Sequence, residues 1–317
     1  MATIYTPSID FSNFDNLFSV MEYFHDENIC KLALAQSRWG DDVVCPHCGQ
    51  HHCTLRKDGR YRCNKCKHNF SCTVGTIFEN TKLPLRKWFI AMYLISSHKK
   101  GVSSCQLSRD IKVTQKTAWF DLQKLRSLFG FDDSMQLFNE VELDEMYLGG
   151  RETNKHESKK TKGTQGRSTK TKTPIFGMVQ RGGKAVAMVV EDTKAKTLMP
   201  IIKQFVRDNA RLFTDELVSY QGLTKEGYDH DFVSHGTKEF VRPNGIHTNT
   251  VEGFWAHFKR VVFGTYHFVS KRYLQRYIDE QLYRWNTKKA FESERFEYMF
   301  LKSVGIVRYG DVKVKRA

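Results

Sequence analysis

The chain has 317 residues, and 50 Lys and Arg against 35 Asp and Glu leave a formal net charge of +15 at pH 7. Hydrophobic residues at 40% and aromatics at 13% supply material for packed cores, while 21 Gly and 6 Pro are too few for a low-complexity or disordered chain. The longest apolar stretch, Trp88 to Ile95, is far short of the roughly 20 residues a bilayer crossing needs, and the N-terminus lacks the basic and apolar regions of an export signal. A globular protein of about two or three domains is expected.

Charge changes sign along the chain. Residues 1–40 are mildly acidic at −3 and read as a helical lead segment, with apolar residues at helical spacing from Phe14 to Leu34. Residues 41–130 then carry +10, a surplus that suits a surface displacing counterions from a phosphate backbone. Smaller surpluses follow, +6 over Arg151 to Thr173 and +4 over Leu301 to Ala317, for which a solvated, mobile surface is the plainer explanation.

All 8 cysteines fall between Cys30 and Cys105, a local cluster more typical of a metal site than of a disulfide framework. Cys45-Pro-His-Cys48 and Cys63-Asn-Lys-Cys66 are two C-x2-C pairs separated by fourteen residues, so two tight knuckles can bring four thiolates around one tetrahedral Zn²⁺. His51, His52 and Cys53 are weaker alternative ligands, and reduced structural cysteines are the competing account. Asp58-Gly59 is a favoured type I′ dipeptide, so Thr54 to Lys57 and Arg60 to Arg62 are expected to pair as a hairpin within a zinc ribbon. Such a site is structural: with all four positions filled, no place is left for water or substrate.

Helices are expected over Leu85 to His98, Ser103 to Asp110 and Thr114 to Leu128, with Ile111-Lys112-Val113 as a tight connection at helix-turn-helix spacing. Thr114 is a plausible N-cap. Ala118, Leu122, Leu125 and Phe129 would bury one face and leave Gln115, Lys116 and Lys124 pointing outward, where they could enter a major groove. Strands and helices mix from Glu140 onward: strands over Glu140 to Leu148, Pro174 to Gln180, Lys184 to Val190 and Leu212 to Asp215, a helix over Lys196 to Asn209, and a long helix starting near Asn249. Thr153 to Thr173, without apolar residues, reads as an inserted loop.

Three acids stand out in this half. In Glu142-Leu-Asp144-Glu145 alternation puts Glu142 and Asp144 on one face and Glu145 on the other, and an aspartate inside an apolar strand suggests a nearby cation, an edge strand with a solvated face being the alternative. Asp215 ends a short apolar run, where it is either functional or a turn and N-cap aspartate. Asn249-x-x-Glu252 has the form of a capping box, yet Lys259 lies two helical turns beyond Glu252 on the same face, as an acid binding metal and a lysine reaching the same phosphate backbone would. Three carboxylates from two strands and one helix could hold two Mg²⁺ ions about 4 Å apart for in-line phosphoryl displacement.

The ordered set is specific. Arg38-Trp39, Cys45-Pro-His-Cys48-Gly49, Glu142-Leu-Asp144-Glu-Met-Tyr-Leu-Gly149-Gly150, Phe213-Thr-Asp215, His247-Thr-Asn249-Thr-Val-Glu252-Gly-Phe-Trp255, Lys259-Arg260 and Tyr283-Arg284-Trp285-Asn286 resemble the DDE transposases of bacterial insertion sequences that carry an N-terminal zinc ribbon, the ISXO2-like type, relatives of the Merlin transposases. The resemblance implies a multidomain α+β/α/β chain whose RNase H-like mixed-sheet catalytic domain follows a zinc ribbon and a helix-turn-helix. It implies Asp144, Asp215 and Glu252 as Mg²⁺ ligands, Asn249 as a fallback for the third, and Lys259 and Arg260 as DNA contacts.

The domains expected are a lead segment over 1–40, a zinc ribbon over 41–75, a helix-turn-helix over 76–132, a catalytic domain over 137–290 with a basic loop at 151–173, and a basic C-terminal tail over 291–317. The function expected is transposition: binding terminal inverted repeats, cutting a phosphodiester and joining the freed 3′-OH to target DNA. A non-catalytic DNA-binding regulator and an RNase H-like nuclease without joining are the alternatives. Synapsis of two DNA ends implies at least a dimer, and the setting is the bacterial cytoplasm, on the nucleoid.

Overall fold

The computed structural model describes residues 9–130, 134–149, 156–161, 171–234 and 241–304. The chain divides into two compact units, one formed by residues up to Phe129 together with those from Lys289 onward, the other by Gly130 to Lys288.

The first unit begins with helices α1 (Leu17–Tyr23) and α2 (Glu27–Trp39), whose N-caps Asn16 and Asp26 accept backbone N–H bonds from Ser19 and Asn28. A three-stranded antiparallel ribbon follows, of β1 (Cys53–Leu55), β2 (Tyr61–Cys63) and β3 (Asn69–Phe70), with Cys53 opposite Cys63 and Leu55 opposite Tyr61. The hairpin differs from the expected two-residue turn. Arg56 N–H donates to the Arg60 carbonyl at 2.8 Å, leaving Lys57, Asp58 and Gly59 as a three-residue loop in which only Gly59 has a left-handed φ, +76°. A type I′ turn needs positive φ at both central residues, and Asp58 does not supply it.

Helices α3 (Leu85–Ser97), α4 (Ser104–Asp110) and α5 (Gln115–Arg126) come next, and Thr114 caps α5 by accepting from Thr117 N–H. Ala118, Leu122, Leu125 and Phe129 are buried and Gln115 and Lys116 are exposed, but Lys124 is not outward as expected. It is 5% exposed, and its ammonium donates to the Ile77 carbonyl at 2.7 Å and lies 5.5 Å from the Trp88 ring and 5.3 Å from the Phe120 ring. The C-terminal half of α5, Asp121 to Arg126, is buried throughout, so a one-faced helix is the wrong picture there.

The expected basic tail is also corrected: Glu292–Ser303 is a helix. Phe296, Met299 and Phe300 are fully buried, and Phe300 packs its ring 4.9 Å from Phe89 and 5.3 Å from Phe11. Apolar spacing of i, i+3 and i+4 makes this segment a helix with one buried face, and its own charges, Glu292, Glu294 and Glu297 against Arg295 and Lys302, are not basic in sum. Residues 305–317 lie outside the described residues, as does most of the basic loop expected at 151–173.

The second unit is built on a five-stranded sheet. Its strands are β4 (Glu140–Leu148), β5 (Thr173–Gln180), β6 (Ala185–Val189), β7 (Arg211–Thr214) and β8 (Asp229–Phe232), in the order β6-β5-β4-β7-β8. β4 is antiparallel to β5 and β5 to β6, whereas β4 and β7, and β7 and β8, run parallel. Alternation sends Val141, Leu143, Phe176 and Met178 into one core with Leu198, Ile202 and Phe205 of helix α6 (Ala195–Phe205).

After a short antiparallel pair, β9 (Val241–Arg242) and β10 (Ile246–His247), come helices α7 (Asn249–Val261) and α8 (Leu274–Asn286). Their Val251, Phe254, Trp255, Phe258, Ile278 and Leu282 form the second core with Met146, Ile175 and Val179 on the other face. Gly177 makes the approach of α7 possible, because a Cβ there would overlap the Trp255 indole.

Candidate active site

Parallel register brings the first two acids level. Glu142 of β4 pairs with Phe213 of β7, so two residues further along both strands Asp144 stands beside Asp215, which follows the last residue of β7. On the other side Asp144 is opposite Gly177, over which Trp255 lies, and Trp255 is one helical turn after Glu252 on α7. Sheet and helix therefore converge on one face of β4. Asp144 is half-buried, Asp215 is 8% exposed and Glu252 is exposed.

Electrostatics report the same convergence. Burial first, and then the charges of Glu145, Asp215 and Glu252, push the Asp144 carboxyl up to about 8. A carboxyl so placed repels a second negative charge and favours a divalent cation, which matches the chemistry of an oxygen-rich donor set. Among the described residues, however, only the cysteines gather three or more ligand atoms within 4.8 Å of one another. The three acids do not meet that spacing.

Local bonds define each acid. One Asp215 carboxylate oxygen accepts the Leu217 N–H at 2.9 Å, so the turn role and a position beside Asp144 coexist. Glu252 accepts from the Thr248 hydroxyl at 3.0 Å; the N-cap is Thr248, not Asn249, and the expected capping box to the Asn249 amide is not what engages Glu252. Asn249 is exposed at the first position of α7, and Lys259 and Arg260 are exposed two turns on. Glu145, expected on the opposite face, accepts from the Tyr220 hydroxyl, and burial followed by the nearby carboxylates raises the Tyr220 phenol well above its ordinary range. Neither Tyr220 nor the ion pair of Glu142 with Arg181, 2.7 Å between Nε and Oε1, was marked in the sequence as part of this site.

The cysteine cluster has the geometry of a single closed site. Cys45 and Cys66 sulfurs are 3.7 Å apart and those of Cys48 and Cys63 3.6 Å. Zn–S bonds of about 2.3 Å in a tetrahedron put sulfurs about 3.8 Å apart, so the four thiolates fit zinc. The Cys66 N–H donates to the Cys63 sulfur at 3.4 Å, and such backbone donors pull that thiol down to about 6, toward the thiolate a metal requires. The alternative ligands are outside the group of four: Cys53, across from Cys63 and beside the cluster, donates to the Gln50 carbonyl, His51 bonds Asp42, and His52 is exposed.

A cysteine-built ribbon followed by a carboxylate-bearing mixed sheet defines a zinc-ribbon transposase class. Residues 25–69 match the transposase zinc-ribbon domain, and residues 136–286 match the ISXO2-like transposase domain. An uncharacterized protein in transposable element ISH50 of Halobacterium salinarum is 30% identical over 242 residues, 72% of this chain and 81% of that one. A second relative, an uncharacterized transposase-like protein of Haemophilus influenzae, is 28% identical over 106 residues, 33% of this chain and 84% of its own length. The chain belongs to the ISXO2-like transposase family of insertion sequences. Among solved structures, a simian T-cell lymphotropic virus intasome in complex with PP2A regulatory subunit B56 gamma matches 61% of this chain and 67% of that one at 10% identity, with a TM-score of 0.28, too low to bear on the fold.

Proposed function

We propose that this transposase binds the terminal inverted repeats of its element and performs DNA strand cleavage and strand transfer at Asp144, Asp215 and Glu252. The observation that carries the proposal is the β4–β7 register, which brings Asp144 beside Asp215 on the face of the sheet where α7 carries Glu252. The strand order, with an antiparallel β6-β5-β4 half joined to a parallel β4-β7-β8 half, supports an RNase H-like catalytic domain. The three acids would hold divalent ions, Mg²⁺ by preference for carboxylate and phosphate oxygens, and these would supply activation of the attacking oxygen and stabilisation of the leaving one. Asn249, exposed one helical turn before Glu252, is the reserve ligand.

Lys259 and Arg260, on the exposed side of α7, would neutralise the phosphates flanking the scissile bond. The ribbon and α3 to α5 would grip the repeats, with α4 and α5 as a helix-turn-helix and Gln115 and Lys116 at the groove. Synapsis of two ends calls for at least a dimer on double-stranded DNA. No helix among the described residues is long and apolar enough to cross a membrane, and action on nucleoid DNA in the cytoplasm accords with that.

Asp144→Ala or Asp215→Ala should abolish metal-dependent cleavage and joining of terminal-repeat DNA while repeat binding persists. Cleavage retained in either variant removes that acid from the mechanism. Cut ends without joined products would favour a nuclease, and binding with neither product a regulator.

A further inference from the structure

The least solvent-exposed carboxylate near the site belongs to none of the three acids. Glu142 is 0% exposed, two residues before Asp144 on the same face of β4. Its Oε2 accepts the backbone N–H groups of Thr250 at 2.7 Å and Val251 at 2.9 Å, and its Oε1 accepts the Thr250 hydroxyl at 2.9 Å. Arg181, just beyond β5, supplies a fourth bond from Nε to Oε1 at 2.7 Å.

The first-turn N–H groups of a helix have no partner within it, and α7 receives no side-chain cap from Thr248. Glu142 fills that role from a different strand, with its charge at the positive end of the helix. Arg181 is held in turn: its Nη2 donates to the His247 carbonyl at 2.8 Å and contacts His247 Nδ1 at 3.2 Å, and its guanidinium lies 4.0 Å from the Phe213 ring. The same Nδ1 also accepts from Asn249 N–H at 3.4 Å, so it is an acceptor, and its 3.2 Å approach to Glu142 is a contact rather than an ion pair. Arg181 is thus the counter-charge that makes a fully buried carboxylate tolerable.

This junction separates the way the acids are held. Sheet register fixes Asp144 against Asp215, whereas Glu252 reaches the site on α7, which packs on the sheet through Val251, Phe254 and Trp255. Glu252 directly follows Val251, whose N–H is bound by Glu142, and Asp144 is about 6.6 Å along the strand from Glu142. We propose that Glu142, supported by Arg181, is the positioning residue that sets the separation of Glu252 from Asp144 and thereby the divalent-metal affinity of the site. Resting on the catalytic role proposed above, it adds a residue that touches neither metal nor DNA.

The test is Mn²⁺ binding to the full-length, zinc-loaded protein, followed by electron paramagnetic resonance, with hydrogen exchange at Thr250 and Val251 and thermal melting measured alongside. Asp144→Asn should remove the binding. Glu142→Gln puts an amide donor in place of one carboxylate oxygen, where two donors already point, and it should weaken Mn²⁺ by about 10–100-fold, as loss of a supporting partner to a metal ligand does. Exchange at Thr250 and Val251 should rise with it. Thr250→Val, which keeps volume and removes one of the four bonds, should weaken Mn²⁺ by about threefold to tenfold and decides the matter if Glu142→Gln does not fold. Wild-type Mn²⁺ affinity in a folded Glu142→Gln, or in Thr250→Val, overturns the positioning role alone. Equal binding by wild type and Asp144→Asn instead sinks the metal site itself, and this proposal with it.

Discussion

The four cysteines of the ribbon come from one short stretch, Cys45 to Cys66, whereas the acids come from β4, the end of β7 and the start of α7. In the ribbon the ligands are close enough to share a single ion and few apolar side chains hold the strands, which are two or three residues long. In the sheet the scaffold is extensive, with a hydrophobic core on each face, and the acids come from two of its interior strands, β4 and β7, and from the helix packed on the sheet. The difference teaches that metal makes the fold in one region and the fold makes the metal site in the other.

The largest expected effect breaks the ribbon side of that contrast. Cys63→Ser should lose zinc and unfold the ribbon, since structural zinc contributes about 10–16 kcal/mol of apparent binding energy in comparable small domains. Zinc content and terminal-repeat binding should fall together while Mn²⁺ binding at the acids is kept. A ribbon that retains its exchange protection without zinc would erase the distinction.

A smaller effect probes the sheet. Gly177→Ala inserts a methyl into the space of the Trp255 indole, directly across from Asp144. Overpacking of this kind costs about 1–3 kcal/mol, and α7 must move away from β5 to relieve it. Denaturant midpoint and Mn²⁺ affinity should both fall. Unchanged metal affinity at reduced stability would mean that α7 rises without displacing Glu252.

Much of this was legible beforehand, for identifiable reasons. The cysteine spacing gave the ribbon because its ligands are local in sequence, and the apolar runs gave β4 and β7 because both strands are buried in the middle of the sheet. What joins them was not legible: no local pattern says that Glu142 meets the amides of Thr250 and Val251, more than a hundred residues away, or that Tyr220 meets Glu145. β8 escaped notice because Asp229-His-Asp-Phe232 has no apolar run, being an edge strand whose acids pair with Arg211. The C-terminal helix was missed because the charge count that suggested a basic tail began at Leu301, beyond Phe296, Met299 and Phe300 on which the helix packs.

The finest test compares two lysines eight residues apart on α5. Lys116 is exposed and Lys124 is enclosed by Ile77, Trp88 and Phe120, although both carry the positive charge that suggested a DNA surface. Lys116→Ala should leave stability within about 0.5 kcal/mol, because it removes no buried contact. If Lys116 meets a phosphate, it should reduce the salt slope of repeat binding by about one. Lys124→Ala should do the reverse. It strips the Ile77 carbonyl of its donor and empties the space of the aliphatic stem, so a loss of about 1–3 kcal/mol is expected, with the salt slope of the protein that remains folded unchanged. A slope lowered by Lys124→Ala rather than by Lys116→Ala would mean that the buried ammonium reaches DNA after all, and that the half of α5 enclosed in the free protein opens when DNA binds.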